Sequence, residues 1–433
     1  MHRDERVEYE PVSVKAMLAE MKDTAELLID LSYSAVLHGS PDLAAEVLTL
    51  ESRMDVLQLQ ARMSVMMAAR SPEDVEDLAP VLGVIGAAEK ISDAAGDIAK
   101  VVLEEVGLPD AMRAALPEAV ETLVRVPVAA DSSYVGRTLD GINMETETGV
   151  RVIAVRREQA TGKARWITNP DRDTDLRAGD TLILRGFEEG LQEVYETASG
   201  EAYELPDSPE PAVADLERAV DSIVLMKNMS ELAVDLAYGA VLFDSRGVAE
   251  EVAELEAEVD ALKSRFEAWT LQAAGRVDDP VSLRGLVHLA SATEVISDAA
   301  LEISEGVLRG LKAHPVVAEA VEESDEVIVR AVVAPGSELA GATLGDREVK
   351  TETGMRVIAV RRGHGDERGG DDVDGAGDGG GSVDGEDEDG EWIVSPGAQT
   401  LLRAGDVLIA KGTRAGAERF TAMAGSPETF DAD

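Results

Sequence analysis

The stretch ETGVRVIAVRR at residues 147–157 decides the fold, because it returns almost unchanged as ETGMRVIAVRR at residues 352–362. The two copies lie 205 positions apart. Two further stretches, at 26–37 and 89–95, return at the same offset as ELAVDLAYGAVL and EVISDAA. Helices and loops therefore kept their lengths between the copies, and the sequence indicates a tandem duplication.

A fourth repeated stretch, LRAGDTLIL at 176–184, returns as LRAGDVLIA at 402–410 with a larger offset of 226. The extra 21 residues fall between Arg362 and Trp392, in a segment made almost entirely of glycine and acidic residues. Such a composition buries too little apolar surface to fold, so 363–391 is predicted to be a disordered acidic insert. A calcium loop is not favoured, because the acids follow no EF-hand register.

The formal net charge of −46 is the extreme feature of the composition, with 86 acidic against 40 basic residues. It excludes nucleic acid as a partner, since that binding relies on basic side chains at phosphates. The acids are spread along the chain, a pattern that resembles proteins of salt-loving archaea. We therefore expect the fold to loosen below about 0.2 M KCl, where screening weakens. The chain has no cysteine and thus no disulfide or thiolate chemistry.

Each copy begins with a helical part. In the first copy, heptad-like apolar spacing and the Gly-Ser-Pro and Ser-Pro breaks predict helices at 12–38, 42–70 and 73–106. The second helix carries its apolar seam from Leu43 to Val65, and the second copy repeats that seam from Val248 to Trp269. Alternating steps of three and four residues place one apolar stripe against neighbouring helices, so each copy is predicted to hold a three-helix bundle.

Each copy continues with a β-rich part. Alternating apolar residues predict strands at 123–129 and 327–333, and further strands at 149–155, 166–167 and 180–184. A short helix is expected between residues 133 and 148. The predicted domains are listed with their boundaries: bundle 11–108, β module 120–200, linker 201–211, bundle 212–313, and β module 324–425 with the insert.

The β module resembles the C-terminal regulatory domain of the TrkA/RCK family of potassium-transport regulators. In the first copy the matching text is SYVGRTL at 133–139, TGVRVIAVRR at 148–157, WITNP at 166–170 and LRAGDTLI at 176–183. The resemblance implies self-association through this domain and binding of small regulatory ligands such as cyclic di-AMP. The family's nucleotide-binding half is missing, since no G-x-G-x-x-G follows a strand. Matching text in the second copy lies at 336–344, 353–362, 392–396 and 402–409.

Basic residues of the β modules are candidates for an anionic ligand. They are Arg156, Arg157, Arg361, Arg362 and Lys350. Glu145 takes the place of Lys350 in the first copy, so a phosphate anchor is expected only in the second. The alternative is that the arginines pair with the protein's own acids.

The helical part resembles PhoU-type three-helix bundles, the unit doubled in regulators of phosphate uptake. The match lies in L-E-x-x-x-D at 50–55 and E-K-I-S-D at 89–93, repeated at 255–260 and 294–298. With both resemblances, the fold class is α+β: two three-helix PhoU-like bundles alternate with two small α/β TrkA-C-like domains. We expect the bundles to pack into a six-helix unit and the β modules to pair about a pseudo-twofold axis.

Carboxylates spaced four residues apart recur on the helices of both copies, and this spacing places them on one helix face. Resemblance to PhoU-type proteins implies that such pairs bind divalent metal ions, and hard oxygen ligands suit Mg, Ca, Mn or iron. The alternative is a solvated acidic face. The first helix adds Glu26/Asp30 and Glu231/Asp235. The candidate metal ligands are Glu51, Asp55, Glu89, Asp93, Asp97, Glu256, Asp260, Glu294, Asp298 and Glu302.

Nothing in the sequence favours catalysis. None of the five histidines recurs at the repeat offset, and no triad or metal-histidine spacing is present. No apolar run is long enough to cross a membrane, and no signal peptide precedes the first helix, so we expect a cytoplasmic protein that is not inserted into the membrane.

The sequence thus predicts a regulatory subunit that senses a ligand or ion and modulates a membrane cation transporter or channel, with potassium as the expected ion. The alternatives are a PhoU-type, metal-binding regulator of phosphate uptake and a scaffold without a ligand.

Overall fold

A computed structural model describes residues 13–107, 122–144, 148, 150–158, 164–168, 170, 172–186, 188–203, 214–277, 280–311, 315–324, 326–362 and 392–425. The predicted insert at 363–391 and most of the predicted linker lie outside these residues. The chain divides into two compact units. The first comprises Met1–Glu231 and Leu255–Glu302, and the second comprises Leu232–Glu254 and Ile303–Asp433.

The first bundle consists of α1 (Val14–His38), α2 (Pro41–Ala68) and α3 (Pro72–Leu103), and all three pack against one another. Polar caps set their boundaries. Gly39 ends α1 in the left-handed conformation with φ of 54°, and Ser71 forms a capping box with Asp74 at the start of α3. The seam predicted from sequence is buried, since Leu50, Met54 and Ala61 are fully enclosed. The predicted three-helix bundle is confirmed.

The second bundle repeats these helices as α6 (Ala214–Leu242), α7 (Arg246–Ala274) and α8 (Arg284–Leu308). Phe266 and Val259 of its seam are completely buried. Among the described residues, no helix combines the length and the apolar composition that crossing a bilayer requires.

The first β module is a four-stranded antiparallel sheet with strand order β1-β4-β2-β3. Its strands are β1 (Thr122–Pro127), β2 (Arg151–Glu158), β3 (Ala164–Thr168) and β4 (Thr181–Gly186). The short helix α4 (Leu139–Ile142) lies where a helix was expected. A bulge in β2 leaves Ile153 without a partner on β4. Aliphatic side chains of the strands form the core of this module.

The second β module has the same architecture, with order β5-β8-β6-β7. It contains β5 (Glu326–Val332), α10 (Val349–Thr353), β6 (Met355–Arg361), β7 (Trp392–Val394) and β8 (Val407–Thr413). The bulge recurs at Ile358, so the repeated R-V-I-A-V stretch carries the same irregularity in both copies.

Three helices were not predicted: α5 (Glu188–Ser199), α9 (Pro315–Glu323) and α11 (Arg414–Ala424). The sequence held a signal for α5, because Leu191, Val194 and Ala198 recur at helical spacing and are all fully buried in the module core. Helical bundles and small antiparallel sheet domains therefore alternate along the chain.

Candidate functional site

The carboxylates of the first copy form a stripe along the outer side of α2 and α3. Lys100 lies within it, with its Nζ 2.9 Å from Asp97 and 3.8 Å from Glu51. Gly96 allows the Glu51 carboxylate to approach the α3 backbone, because a Cβ there would meet it at 2.5 Å. At the other end of the stripe, Arg62 binds Glu89 at 3.1 Å.

Electrostatics join these carboxylates into one cluster. Burial raises the pKa of Glu51, and the charges of Asp93, Asp55 and Asp97 raise it further, while Lys100 opposes them. The pKa of Asp93 is raised by burial and then by Glu89, Asp55 and Asp97. The five carboxylates predicted from sequence in this copy are therefore brought together.

The second stripe, on α7 and α8, has acidic residues at the same five positions, but different basic residues pair with them. Glu256 and Asp298 approach within hydrogen-bonding distance of each other, and the pKa of both is raised, first by burial and then by neighbouring carboxylates. Glu294 binds Lys263, and Glu302 binds Lys90 of the first copy. Asp260 contributes to the raised pKa of Glu256.

The stripes can attract cations, but they are not assembled coordination sites. Within the described ranges, no group of three or more acidic or histidine side chains converges so as to hold a metal ion. A bound divalent ion would require side-chain rotation. The metal assignment of these ten residues stays a prediction.

The repeated arginine pair and the repeated L-R-A-G-D turn belong to one structural feature. Asp180 is 1% exposed and accepts hydrogen bonds from Nε and Nη2 of Arg157 at 2.8 and 2.7 Å and from the backbone of Arg177. In the second copy, Asp406 accepts from Arg362 at 2.6 Å and from the backbone of Arg403. The doubled stretches therefore fasten a turn to a strand in each module.

The remaining basic candidates have other neighbours. Arg156 lies 2.6 Å from Glu46 of α2, and Arg361 lies over the ring of Trp392, 5.8 Å from its centroid. Lys350 is exposed on α10. An anion at these residues stays a prediction, and at Arg157 or Arg362 it would compete with buried aspartates.

The sequence analysis missed the ion pairs that connect the first helix of each copy to the strands of its β module. We call these ion pairs the joint of each copy. Asp30 of α1 binds Arg185 of β4. In the second copy, Asp235 of α6 lies 2.6 Å from Lys411 of β8 and 3.0 Å from Arg356 of β6. These aspartates were grouped with the carboxylate pairs of the first helix. The sequence did hold a signal for these ion pairs, because both the aspartates and the basic residues of the strands are repeated in the two copies.

A cluster of buried polar side chains also lies where helices of the two copies meet, within the first unit. Lys22 and Lys227 are 2% and 3% exposed, and they pair with Glu26 and Glu231 at 2.9 and 2.5 Å. The Tyr33 hydroxyl and Thr293 Oγ1 are 2.5 Å apart. Burial raises the pKa of the Tyr33 phenol well above its usual range. Helix α1 therefore contacts α8 of the second copy, and the six-helix unit stays a prediction.

Comparison with known families matches both kinds of module. The PhoU domain model matches residues 18–102 and 223–307, and the TrkA-C domain model matches residues 123–199. The two PhoU stretches lie 205 positions apart, the offset of the duplication. Both families are regulatory or accessory domains rather than catalytic ones.

A curated relative is the phosphate-specific transport system accessory protein PhoU homolog of Zymomonas mobilis, 27% identical over 91 residues. The match covers 20% of this chain and 38% of that relative, so it spans well under half of the relative's length.

Two solved structures show weaker likeness. PhoU from Pseudomonas aeruginosa is 12% identical with a TM-score of 0.38, covering 69% of this chain and 96% of that one. The GsuK RCK domain is 15% identical with a TM-score of 0.17, covering 70% and 63%. The family matches carry the assignment: this chain contains two PhoU domains, and a TrkA-C domain follows the first of them.

Proposed function

We propose that this protein is a ligand- or ion-sensing regulatory subunit that modulates cation transport, with potassium as the cation. The TrkA-C-type module would sense, and the PhoU-type bundle would respond. A membrane transporter or channel subunit is the proposed partner, and the cytoplasm is the proposed location. The combination of a TrkA-C domain with PhoU domains supports a regulatory role in ion transport.

The joint between bundle and module is the observation that carries this proposal. Asp235 is 5% exposed at its side chain and is shared between Lys411 and Arg356. Removing one partner of a buried ion pair costs about 3–5 kcal/mol, because it leaves an uncompensated charge. A displacement of the module's strands would therefore be passed to α6 rather than absorbed. The first copy repeats the connection through Asp30 and Arg185.

The proposed mechanism is a shift in population between two packings of a module on its helix. A ligand that binds one packing more tightly changes the equilibrium by its difference in affinity. The paired β modules that the duplication predicts would then change together. The joints convert this into a movement of the helices that a transporter can read.

The resemblance to TrkA-C domains implies a small anionic ligand such as cyclic di-AMP. The arginines of the β modules are poorly suited to bind it. Arg157 and Arg362 are already held by buried Asp180 and Asp406. Lys350 is exposed on α10. We therefore derive no regulatory step from a nucleotide.

Divalent cations fit the donor chemistry of the stripes better. The raised pKa values of Glu51, Asp93, Glu256 and Asp298 reflect carboxylates crowded by like charge. A cation would relieve that crowding and supply oxygen-ligand coordination between the second and third helices of a bundle. Rotation of the side chains must bring the ligands together first.

Regulation of phosphate uptake is the second candidate, favoured by a specific observation. The curated relative is a PhoU homolog of a phosphate-specific transport system. In this alternative the bundles and their cations would dominate, and the β modules would be secondary.

Deletion of the gene, followed by measurement of potassium and phosphate uptake, distinguishes the candidates. We expect altered potassium uptake with normal phosphate uptake, restored by the wild-type chain. The double variant Asp30→Asn/Asp235→Asn should fold with normal helicity and fail to restore regulation. Asp244→Asn, which makes the same kind of substitution once at an exposed position just after α6, is the control.

Changed phosphate uptake with normal potassium would transfer the assignment to the second candidate. No change in either uptake would leave the chain as a scaffold.

A further inference from the structure

The first bundle exposes an apolar surface at the α2–α3 end. Met66 and Met67 are each 63% exposed, Val75 is 56% exposed and Leu59 is 45% exposed. Val56 and Leu82 extend the surface. We call these six side chains the apolar patch. Singly exposed apolar residues are ordinary, but a group of this kind on adjacent helices marks an interaction surface.

The patch lies on one side of the helix pair. At about 100° per residue, Val56, Leu59, Met66 and Met67 fall within roughly 100° of arc on α2. Val75 and Leu82 are two turns apart on α3, on nearly the same line. The contact between Arg62 and Glu89 sets the antiparallel register, which brings Met66 within about one turn of Leu82.

The duplication provides an internal comparison for this surface. The positions of Val56, Leu59 and Met67 are held in the second copy by Ala261, Ser264 and Gln272, all of which are exposed. The fold therefore does not require apolar residues there. Two other positions stay apolar and exposed in the second copy, where Leu271 and Val287 correspond to Met66 and Leu82. The first copy therefore carries the larger apolar surface and the one with methionine, which suits adaptable binding surfaces.

Carboxylates continue the same face beyond the patch. On α3, Asp93 lies eleven residues after Leu82, which is about 16 Å along the helix and on the same side. Asp93 and Asp55 are exposed. A complementary ligand must therefore offer apolar side chains at one end and positive charge roughly three helical turns away.

We propose that the apolar patch and the adjoining carboxylates bind an amphipathic, basic helical segment of a partner protein. The charge of −46 disfavours a second copy and an anionic membrane at this surface. The longer stretches of this chain outside the described residues, 1–12, 108–121 and 363–391, are each net acidic and offer no complement. A basic segment satisfies both halves of the surface, and this proposal goes beyond the choice of transported ion.

The test uses the full chain and a fluorescent helical peptide of about 18 residues. The peptide has leucines on one face of its first two turns and lysines on that face of its last two turns. A second peptide carries glutamate in place of lysine. Anisotropy is measured in the lowest KCl concentration at which circular dichroism shows the chain folded. We expect the lysine peptide to bind and the glutamate peptide to bind at least about tenfold more weakly.

The decisive variant replaces three patch residues with the polar or smaller residues found at the same positions of the second copy. Val56→Ala/Leu59→Ser/Met67→Gln should weaken peptide binding about tenfold or more, because the apolar contact is lost. Leu271→Gln, at a 76% exposed position of the second copy, is the control that should leave binding unchanged. Asp93→Asn should weaken the lysine peptide severalfold and leave the glutamate peptide no weaker.

Equal binding by wild type and the triple variant would overturn the proposal. So would a concentration-dependent dimer in sedimentation that the triple variant abolishes, since the occupant would then be a second copy. Binding of the patch to zwitterionic lipid vesicles in place of the peptide would reassign it to a membrane surface.

Discussion

The two copies join their modules to their helices differently. In the first, Asp30 is 21% exposed and binds Arg185, while Glu46 provides a second contact between Arg125 and Arg156. In the second, Asp235 is 5% exposed and holds two cations by itself.

The position of Glu46 also differs between the copies. Burial raises the pKa of Glu46 against the opposing charges of Arg156 and Arg125. Its counterpart is Glu251, whose pKa is raised by burial and by Glu254 and Glu250. Duplication thus preserved the aspartate of the joint and allowed the supporting contacts to diverge.

Breaking the joints should give the largest difference between the copies. Asp235→Ala leaves Lys411 and Arg356 facing each other without their carboxylate, so we expect a loss of about 3–5 kcal/mol. Asp30→Ala should cost only about 1 kcal/mol, because that pair is more exposed and screened by water. Urea denaturation in high KCl measures both. Equal losses would show that the joints are equivalent.

The ion pairs that hold the L-R-A-G-D turns should contribute about equally to the stability of the two copies. Arg157→Met and Arg362→Met each leave an aspartate that is 1% exposed without its guanidinium partner, and each should cost about 3 kcal/mol. Arg361→Met, which removes a contact over Trp392 and leaves both turn aspartates with their guanidinium partners, should cost no more than about 1 kcal/mol. Thermal denaturation is the measurement. An unchanged melting temperature for either turn variant would contradict the structural role given to this pair.

We expect the two carboxylate stripes to bind divalent metal ions with different affinity. Lys100 already neutralises Glu51 and Asp97 in the first stripe, whereas Glu305 holds the equivalent position and binds Arg309. We expect Lys100→Ala to increase the metal bound per chain, and Asp93→Ala with Asp298→Ala to lower it. Elemental analysis after equilibration with Mn²⁺ measures both. Unchanged stoichiometry in the double variant would return the stripes to a solvated acidic face.

Mild acidification gives the smallest expected effect. The folded-state pKa of Glu256 and Asp298 is raised, so folding takes up protons between their unfolded values, about 4, and their folded values. Stability should therefore rise as pH falls through the raised folded-state pKa values towards the unfolded values. The rise in melting temperature should be smaller in Glu256→Gln. An equal rise in Glu256→Gln and wild type would show that this pair is not its source.

Much of the fold was predictable because its signals are local. Apolar spacing and Ser-Pro or Gly breaks gave α2 and α3 to within three residues at each end. Strands β2 and β6 were predictable from the alternating apolar stretch that both copies contain. Helix α5 was missed although its apolar spacing was present, since three buried residues in a short segment carry little periodicity.

The carboxylate stripes were partly predictable for the same reason. Spacing of four residues identifies a shared helix face, and the structure brings Glu51 and Asp93 from two helices into one electrostatic cluster. Their neutralisation by Lys100, one turn beyond Gly96, was not visible, because it depends on which helix faces pack together.

The sequence by itself determined the duplication, the alternation of bundles with antiparallel modules, and the acidic helix faces. Periodicity is visible within a few turns or a single strand, and the duplication is visible when the two halves of the sequence are compared. Only the tertiary structure decided which repeated residues meet: Arg157 with Asp180, Asp235 with Lys411, and Tyr33 with Thr293. Pairing of charges and burial of polar groups depend on distances between segments remote in the chain, and one sequence carries no direct record of those distances.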